Sequence, residues 1–259
     1  MSKLIDRLTQ TAETVSLPLG FRATRSTPTK PRMVLVAHVA SMVGTAQLAD
    51  CLSSADAAVF ASTDKANDTA RFFPKAVWGL WLQGISRPQI KSSVEAGADF
   101  VVLPLDSEFS FPGIEKAGKI LLVEASLSEG LTRTLNELPA DAVLLADGEE
   151  DKQAITWQQL MVCQHFSDLL SKPLLLTVPV TVRGEDLKAL WKAGVDGVVI
   201  AVKTEKQTEK VKELRQIIDK EDFAARPRKK LAVLLPRMGE KTGTTAADVE
   251  EDEEEEEED

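Results

Sequence analysis

The stretch Val195-Asp196-Gly197-Val198-Val199 decides the fold, because its pattern occurs three times earlier in the chain. Each copy has a small apolar residue, then Asp, then an apolar run with the character of a strand. The earlier copies are Ala55-Asp56-Ala57-Ala58-Val59, Ala98-Asp99-Phe100-Val101-Val102 and Ala140-Asp141-Ala142-Val143-Leu144. The aspartates are spaced by 43, 42 and 55 residues. A repeat of this length indicates one supersecondary unit per copy.

Eight short apolar runs alternate with stretches of helical periodicity, and the aspartates precede every second run. Most runs are continuous, which is typical of strands buried on both faces. The predicted strands are 33–39, 57–61, 76–82, 100–105, 120–125, 142–146, 174–178 and 197–202. The predicted helices are 46–52, 87–96, 131–138, 155–170, 185–193 and 205–218, with a weaker helix at 65–73 and a short helix or loop at 109–118.

This alternation predicts a single (β/α)8 TIM barrel over residues 33–222. A doubly wound open sheet is the alternative, but it would have a glycine-rich first turn, and Ala40-Ser41-Met42-Val43-Gly44 lacks the required spacing. Residues 1–32 form an N-terminal amphipathic helix and a connection, and the helix is expected to close the bottom of the barrel. The four aspartates are expected to be turn residues on the N-terminal, stability-related face.

The charge of the chain is concentrated at its C-terminus. The chain has 259 residues, a hydrophobic fraction of 43% and a net charge of −10, but eleven of its 41 acidic residues lie in the last twelve positions. The rest of the chain is nearly neutral, which excludes a strongly basic nucleic-acid-binding domain. Residues 223–259 are therefore predicted to be an extension with a disordered acidic tail.

The compartment is predicted from what the sequence lacks. Two cysteines cannot form a disulfide framework, so no oxidising compartment is required. No apolar run reaches the length of a membrane-spanning helix, and the N-terminus lacks the apolar region of a secretory signal. We therefore expect a cytoplasmic protein without membrane association.

Two stretches carry a resemblance to a known superfamily. Lys192-Ala193-Gly194-Val195-Asp196-Gly197-Val198-Val199-Ile200 resembles the last turn and eighth strand of aldolase-type, phosphate-binding TIM barrels. Glu95-Ala96-Gly97-Ala98-Asp99-Phe100-Val101-Val102 resembles their fourth strand. The resemblance spans residues 33–218 and implies a barrel of this superfamily without naming an enzyme.

The same resemblance implies a phosphate site on glycine-rich turns after strands seven and eight, and this chain departs from that pattern. After strand seven, Pro179 removes a backbone donor and the first glycine is Gly184. After strand eight, Val202-Lys203-Thr204-Glu205 has no glycine. The usual phosphate cradle is therefore absent, or it is rebuilt from the side-chain charges of Arg183 and Lys203.

Polar residues at the predicted C-terminal strand ends are the candidate site, since barrel active sites lie there. Asp106, Glu124 and Asp147 follow three consecutive strands and can bind Mg²⁺ or act as general acid and base. Lys203 can be a counter-ion or a Schiff-base nucleophile, and His38 can shuttle protons. Solvated rim charges and a hydrogen-bonded lumen histidine are the structural alternatives for these residues.

Other chemistries are disfavoured by the sequence. The two histidines lie far apart and there is no CxxC motif, so no zinc site is predicted. Cys51 and Cys163 fall on helical stretches and are expected to pack as small apolar groups. Trp78 and Trp81 are three residues apart on one strand, so they should point to opposite faces of the sheet.

Two functions remain open. The first is an aldolase-type barrel that binds or converts a small oxygen-rich anion, as a lyase or isomerase. The alternative is a catalytically degenerate barrel that acts as an oligomerisation or interaction scaffold. The acidic tail adds the possibility of a basic partner, and a homo-oligomer is compatible with either function.

Overall fold

The computed structural model describes residues 2–12, 32–39, 45–82, 87–108, 114–146, 154–221 and 223. The acidic tail and Asp147 lie outside these residues. The elements run in the order α1 Lys3–Ala12, β1 Val34–Val39, α2 Thr45–Ser54, β2 Ala57–Phe60, α3 Thr63–Phe72, β3 Trp78–Trp81, α4 Arg87–Glu95, β4 Phe100–Pro104, β5 Gly118–Glu124, α5 Glu129–Thr134, β6 Ala142–Ala146, α6 Trp157–Leu169, β7 Leu174–Val178, α7 Gly184–Lys192, β8 Gly197–Val202 and α8 Glu205–Lys220.

The eight strands form a closed parallel barrel in sequence order, which confirms the predicted fold class. The barrel closes where β1 pairs with β8, over a register that runs from Val34 opposite Gly197 to Val39 opposite Val202. Parallel strands need crossover connections, and the helices that follow the strands provide them.

Alternate strand residues fill two separate apolar layers. The lumen is filled by buried side chains that include Val36, Val102, Leu144 and Val199. The intervening residues belong to the outer cluster between barrel and helices. The two layers have the alternation expected of a strand, in which successive side chains point to opposite faces. The lumen is therefore a packed core rather than a channel.

The two tryptophans of β3 fall into different layers, as predicted. Trp81 belongs to the lumen cluster, whereas Trp78 belongs to the outer cluster and lies edge-on to Phe60 with ring centroids 6.5 Å apart. Between them, Gly79 leaves the space that the Phe100 ring occupies, since a Cβ on Gly79 would lie 2.7 Å from that ring. Large and small residues thus interlock across β3 and β4.

Helix α1 closes the bottom of the lumen, as the sequence predicts. Leu4 and Leu8 are fully buried in the lumen cluster. The start of α1 is held by Asp99, whose carboxylate accepts hydrogen bonds from the Lys3 backbone N–H at 2.8 Å and from the Leu4 N–H at 3.0 Å. A carboxylate at a helix N-terminus satisfies free N–H donors and complements the helix dipole.

Each of the other three repeat aspartates makes two hydrogen bonds to one residue of the preceding strand, one through its backbone N–H and one through its carboxylate. Asp196 donates its backbone N–H to the Leu174 carbonyl at 2.8 Å, and its carboxylate accepts the Leu174 N–H at 2.8 Å. Asp56 makes the same pair of bonds with Leu35, and Asp141 makes it with Lys119. These reciprocal bonds fix the start of one strand against the start of its neighbour, so the aspartates are turn residues on the N-terminal face.

Asp56 also joins distant elements at the bottom of the barrel. Its carboxylate accepts hydrogen bonds from Arg215 of α8 and from Arg32, both at 2.9 Å. Arg7 of α1 approaches it at 3.6 Å. The Asp56 side chain is only 7% exposed, so it is a largely desolvated acid that three guanidinium groups surround.

The connection between β4 and β5 differs from the other crossovers. Its described parts, residues 105–108 and 114–117, form turns and short irregular segments rather than a helix, and residues 109–113 lie outside the description. Strand β5 begins at Gly118, two residues before the predicted start. Among the helices described, none is long and apolar enough to cross a membrane.

We expect Asp196→Ala to destabilise the barrel, because the buried Leu174 N–H loses its carboxylate acceptor. The free energy of unfolding should fall by about 1–3 kcal/mol, measured as a lower urea midpoint at constant m value. Asp196→Asn keeps an acceptor oxygen and should lose less. The exposed Glu209→Ala variant is the control and should stay within about 0.5 kcal/mol of the parent. Equal stability of Asp196→Ala and the parent would contradict the structural role.

Candidate functional site

The mouth of the barrel combines two titratable side chains from opposite strands. His38 follows the lumen residue Val36 by two positions on β1, and Glu124 follows Leu122 by two positions on β5. Because strand residues alternate between faces, both belong to the lumen side at the C-terminal end. The structure therefore places these two predicted residues on the same rim.

The imidazole of His38 stacks on the indole of Trp81. Their ring centroids are 4.5 Å apart and the planes differ by 14°. Trp81 is 8% exposed and His38 is partly buried. The contact sets the plane of the imidazole at the top of the apolar lumen, and it joins β1 to β3 across the intervening strand.

Glu124 is the last residue of β5 and its side chain is exposed. One carboxylate oxygen, Oε2, accepts a hydrogen bond from the Ser126 hydroxyl at 3.2 Å. The exposed carboxylate therefore lies in water at the mouth and can approach a bound molecule without the cost of leaving a buried ion pair.

The predicted group of three carboxylates is only partly described. Asp106 is exposed in the turn after β4, two residues beyond the strand, and Asp147 lies outside the described residues. In the part of the chain that is described, no three His, Cys, Asp or Glu side chains are close enough to hold a metal ion. Whether Asp106, Glu124 and Asp147 meet around Mg²⁺ therefore stays a prediction.

Side chains of α7 and α8 accept hydrogen bonds from the backbone N–H groups that come just before these helices. Asp186 accepts the Arg183 N–H at 2.9 Å. Gln207 accepts both the Lys203 N–H at 2.5 Å and the Thr204 N–H at 3.0 Å. These backbone donors are therefore already satisfied, whereas a phosphate cradle would need them for its ligand.

Gly184 lies at a close contact between two helices. A Cβ at this position would lie 3.0 Å from the Ile217 side chain, so the missing side chain allows α8 to pack closely against α7. The side chains of Arg183 and Lys203 are both exposed at these two helix starts. An anion at this side of the mouth would therefore be held by side-chain charge.

The sequence analysis did not predict that Asp186 and Gln207 accept these backbone N–H groups. The spacing of Thr204 and Gln207 matches a capping box, in which a Ser or Thr is followed three residues later by Glu or Gln. Thr156 and Gln159 form the same arrangement at the start of α6, with both hydrogen bonds present. The Thr-x-x-Gln spacing was the sequence signal that could have predicted the hydrogen bonds of Gln159 and Gln207.

A small cavity and a larger groove lie beside strands β4 to β7. A cavity of about 50 Å³ lies between the ends of β5 and β6 and the start of α6, and it is large enough for water. A groove of about 320 Å³ lies outside the barrel, where the described parts of the β4–β5 connection form no helix. Its lining includes Leu103, Leu121 and Leu138, and the sequence patterns did not predict it.

Comparisons with solved structures identify the architecture. A protein from Aquifex aeolicus VF5 matches with a TM-score of 0.59 and 14% identity, covering 84% of this chain and 99% of the other. A 3-hexulose-6-phosphate synthase matches with a TM-score of 0.57 and 15% identity, covering 72% and 100%. The fold is that of the aldolase-type TIM barrels. A mutant tryptophan synthase α-subunit from Pyrococcus furiosus also matches, with a TM-score of 0.56 and 11% identity, covering 72% and 98%.

At these identities the similarity establishes the fold, and it confirms the resemblance predicted from the sequence. No protein-family model matches the chain, and no curated protein sequence does. The chemistry of this aldolase-type barrel must therefore be argued from its own residues.

Cys51 and Cys163 are both buried, as predicted. Burial, together with the smaller effect of the nearby Asp50 charge, raises the pKa of the Cys51 thiol to about 11. Since the thiolate is the nucleophile, Cys51 should not react with a disulfide reagent at pH 8 in the folded protein and should react after unfolding. The Cys51→Ala variant shows which part of the thiol labelling comes from Cys51. Rapid labelling of the folded parent that is lost in this variant would contradict the burial of Cys51.

Proposed function

We propose that the mouth of the barrel binds a small oxygen-rich anion and converts it in a lyase- or isomerase-type reaction. The stacked pair of His38 and Trp81 is the observation that carries this proposal, because it presents an oriented imidazole above a closed apolar lumen. Imidazoles ordinarily titrate near neutral pH and can therefore both donate and accept protons.

Glu124 supplies the second proton-transfer group. Strands β1 and β5 are four positions apart in the eight-stranded barrel, so His38 and Glu124 stand on opposite walls of the mouth. With an α-hydroxy carbonyl substrate between them, Glu124 takes the proton from the hydroxyl-bearing carbon; the C–H electron pair forms a C=C bond, and the carbonyl π pair moves to its oxygen, which takes a proton from His38. The resulting enediol gives the proton of its other hydroxyl back to His38 as that oxygen becomes the new carbonyl. Glu124 returns its proton to the former carbonyl carbon, which completes the isomerisation with both residues in their starting states.

Lys203 and Arg183 provide the positive charge for the anion. Lys203 follows β8, the neighbour of the His38 strand, and Arg183 precedes α7. Because the N–H groups of Arg183, Lys203 and Thr204 already have side-chain acceptors, anion binding is assigned to the side chains of Arg183 and Lys203. Such a site accepts carboxylates as well as phosphates, since it does not depend on a tight backbone cradle.

Mg²⁺ binding by Asp106, Glu124 and Asp147 is part of the same proposal as an alternative role for the rim carboxylates. The names of two similar structures, 3-hexulose-6-phosphate synthase and tryptophan synthase α-subunit, support an enzyme of this architecture. The support is by analogy of fold, which hosts many reactions.

A scaffold without catalysis is the second candidate, and the hydrogen bonds of Asp186 and Gln207 to the backbone before α7 and α8 favour it. In that case Asp186 and Gln207 have replaced a ligand at the two positions where related barrels hold one. The protein would then act through its outer surfaces and its extension. The following experiment separates the two functions.

We expect a ligand among inorganic phosphate, sugar phosphates, flavin nucleotides, small keto acids and Mg²⁺ to raise the unfolding midpoint of the full chain. At about 100 times its dissociation constant a ligand adds about 2.7 kcal/mol, which corresponds to about 5–10 °C for a chain of this size. Lys203→Ala and Arg183→Ala should each reduce the shift caused by an anion, because they remove its positively charged partners, and Glu124→Gln should reduce a shift caused by Mg²⁺, because it removes a carboxylate ligand.

Lys192→Ala and Glu137→Gln are the matched controls, since both residues are exposed and lie away from the mouth. They should keep the full shift. An anion shift that survives in full in both Lys203→Ala and Arg183→Ala would exclude this anion site, and an Mg²⁺ shift that survives in full in Glu124→Gln would exclude the carboxylate site. No shift with any ligand would favour the scaffold.

A further inference from the structure

An apolar strip on α6 is exposed to solvent. Trp157 is 85% exposed and Met161, one helical turn later, is 71% exposed. Residues four apart lie on the same face of a helix, so the two side chains form one continuous surface. Large amphipathic aromatics and methionines of this kind are enriched where a protein surface contacts another segment.

We propose that residues 231–235 of the same chain, with the sequence Leu-Ala-Val-Leu-Leu, pack on this α6 strip. The inference is independent of the chemistry proposed at the mouth. It assigns an occupant to the exposed face and a role to the C-terminal extension, which the described barrel does not use.

The barrel ends close to α6. Phe223 packs against Trp191 of α7, with ring centroids 5.1 Å apart, and Glu221 pairs with Lys188 of α7 at 2.7 Å. Helix α7 in turn touches α6, since a Cβ on Gly194 would collide with the Ser167 side chain. The chain therefore leaves the barrel beside α7, the neighbour of the helix that carries the strip.

The remaining distance is within reach of the extension. Trp157 is ten residues from Ser167, which is about 15 Å along the helix axis. Neighbouring helices lie about 8–10 Å apart. The eight residues from 224 to 231 can span about 26–29 Å when extended, so residues 231–235 can reach the strip.

Residues 231–235 are the apolar run of the extension. They follow Arg226-Pro227-Arg228-Lys229-Lys230 and precede Pro236, while the rest of the tail is polar and then acidic. The exposed carboxylates of Asp168 and Glu185 can pair with these basic residues, and α7 also carries the exposed Lys192. The groove beside β4 and β5 is three strands around the barrel from α7, too far for the same segment.

The four tryptophans make the test specific. Trp78, Trp81 and Trp191 are buried at 2%, 8% and 3% exposure, so quenching by the neutral reagent acrylamide reports mainly on Trp157. The signal of Trp157 is the difference between the full chain and its Trp157→Phe variant. The double variant Leu234→Asp with Leu235→Asp should lose the protection of Trp157, with stronger quenching and emission shifted to longer wavelength.

The matched control is Thr244→Asp with Thr245→Asp, which adds the same charge outside the apolar run and should leave the quenching unchanged. In the Trp157→Phe background, unchanged emission of the three buried tryptophans shows that the Leu234 and Leu235 substitutions leave the barrel folded. Equal quenching of Trp157 in the parent and the Leu234→Asp, Leu235→Asp chain would overturn the proposal. Protection that disappears on dilution would assign the strip to a second copy and would also overturn it.

Discussion

The paired hydrogen bonds of the repeat aspartates are the constraint on which the rest of this barrel depends. Asp56, Asp141 and Asp196 each bind both the N–H and the carbonyl of one residue in the preceding strand. These bonds set where β2, β6 and β8 begin. In a sheet with side chains alternating between two faces, a slip of one residue would exchange lumen and outer positions. The hydrogen bonds at the bottom therefore help to decide which side chains of these strands face the lumen.

The two ends of the barrel differ in how their charged side chains are bonded and exposed. At the bottom, charge is paired and partly buried, with Asp56 among three arginines and Asp99 at the start of α1. At the mouth, Glu124, Arg183 and Lys203 remain exposed. The acids at the bottom lie in hydrogen-bond networks that hold the barrel together, whereas the charged groups at the mouth are exposed to solvent. The mouth is therefore the end of the barrel at which a ligand can reach charged side chains.

The outer surface departs from the regular pattern at two places. The described parts of the β4–β5 connection leave an apolar groove instead of a covering helix, and α6 exposes Trp157 and Met161. Both features lie outside the lumen, so neither is required for the barrel to close. Other chain segments or partners can bind to these surfaces without any change in the packing of the core.

The sequence by itself determined the closed barrel, because strands buried on both faces have continuous apolar runs and the Asp repeat marks every second one. It also separated Trp78 from Trp81, since alternation is a local property of a strand. Only the tertiary structure decided that Asp99 caps α1, that Gln207 occupies the donors after β8, and that His38 stacks on Trp81. The choice of hydrogen-bond and ring partners depends on which elements are neighbours in the folded barrel. Local patterns of apolar residues predict the strands and helices, but they do not specify which side chains of distant elements come into contact.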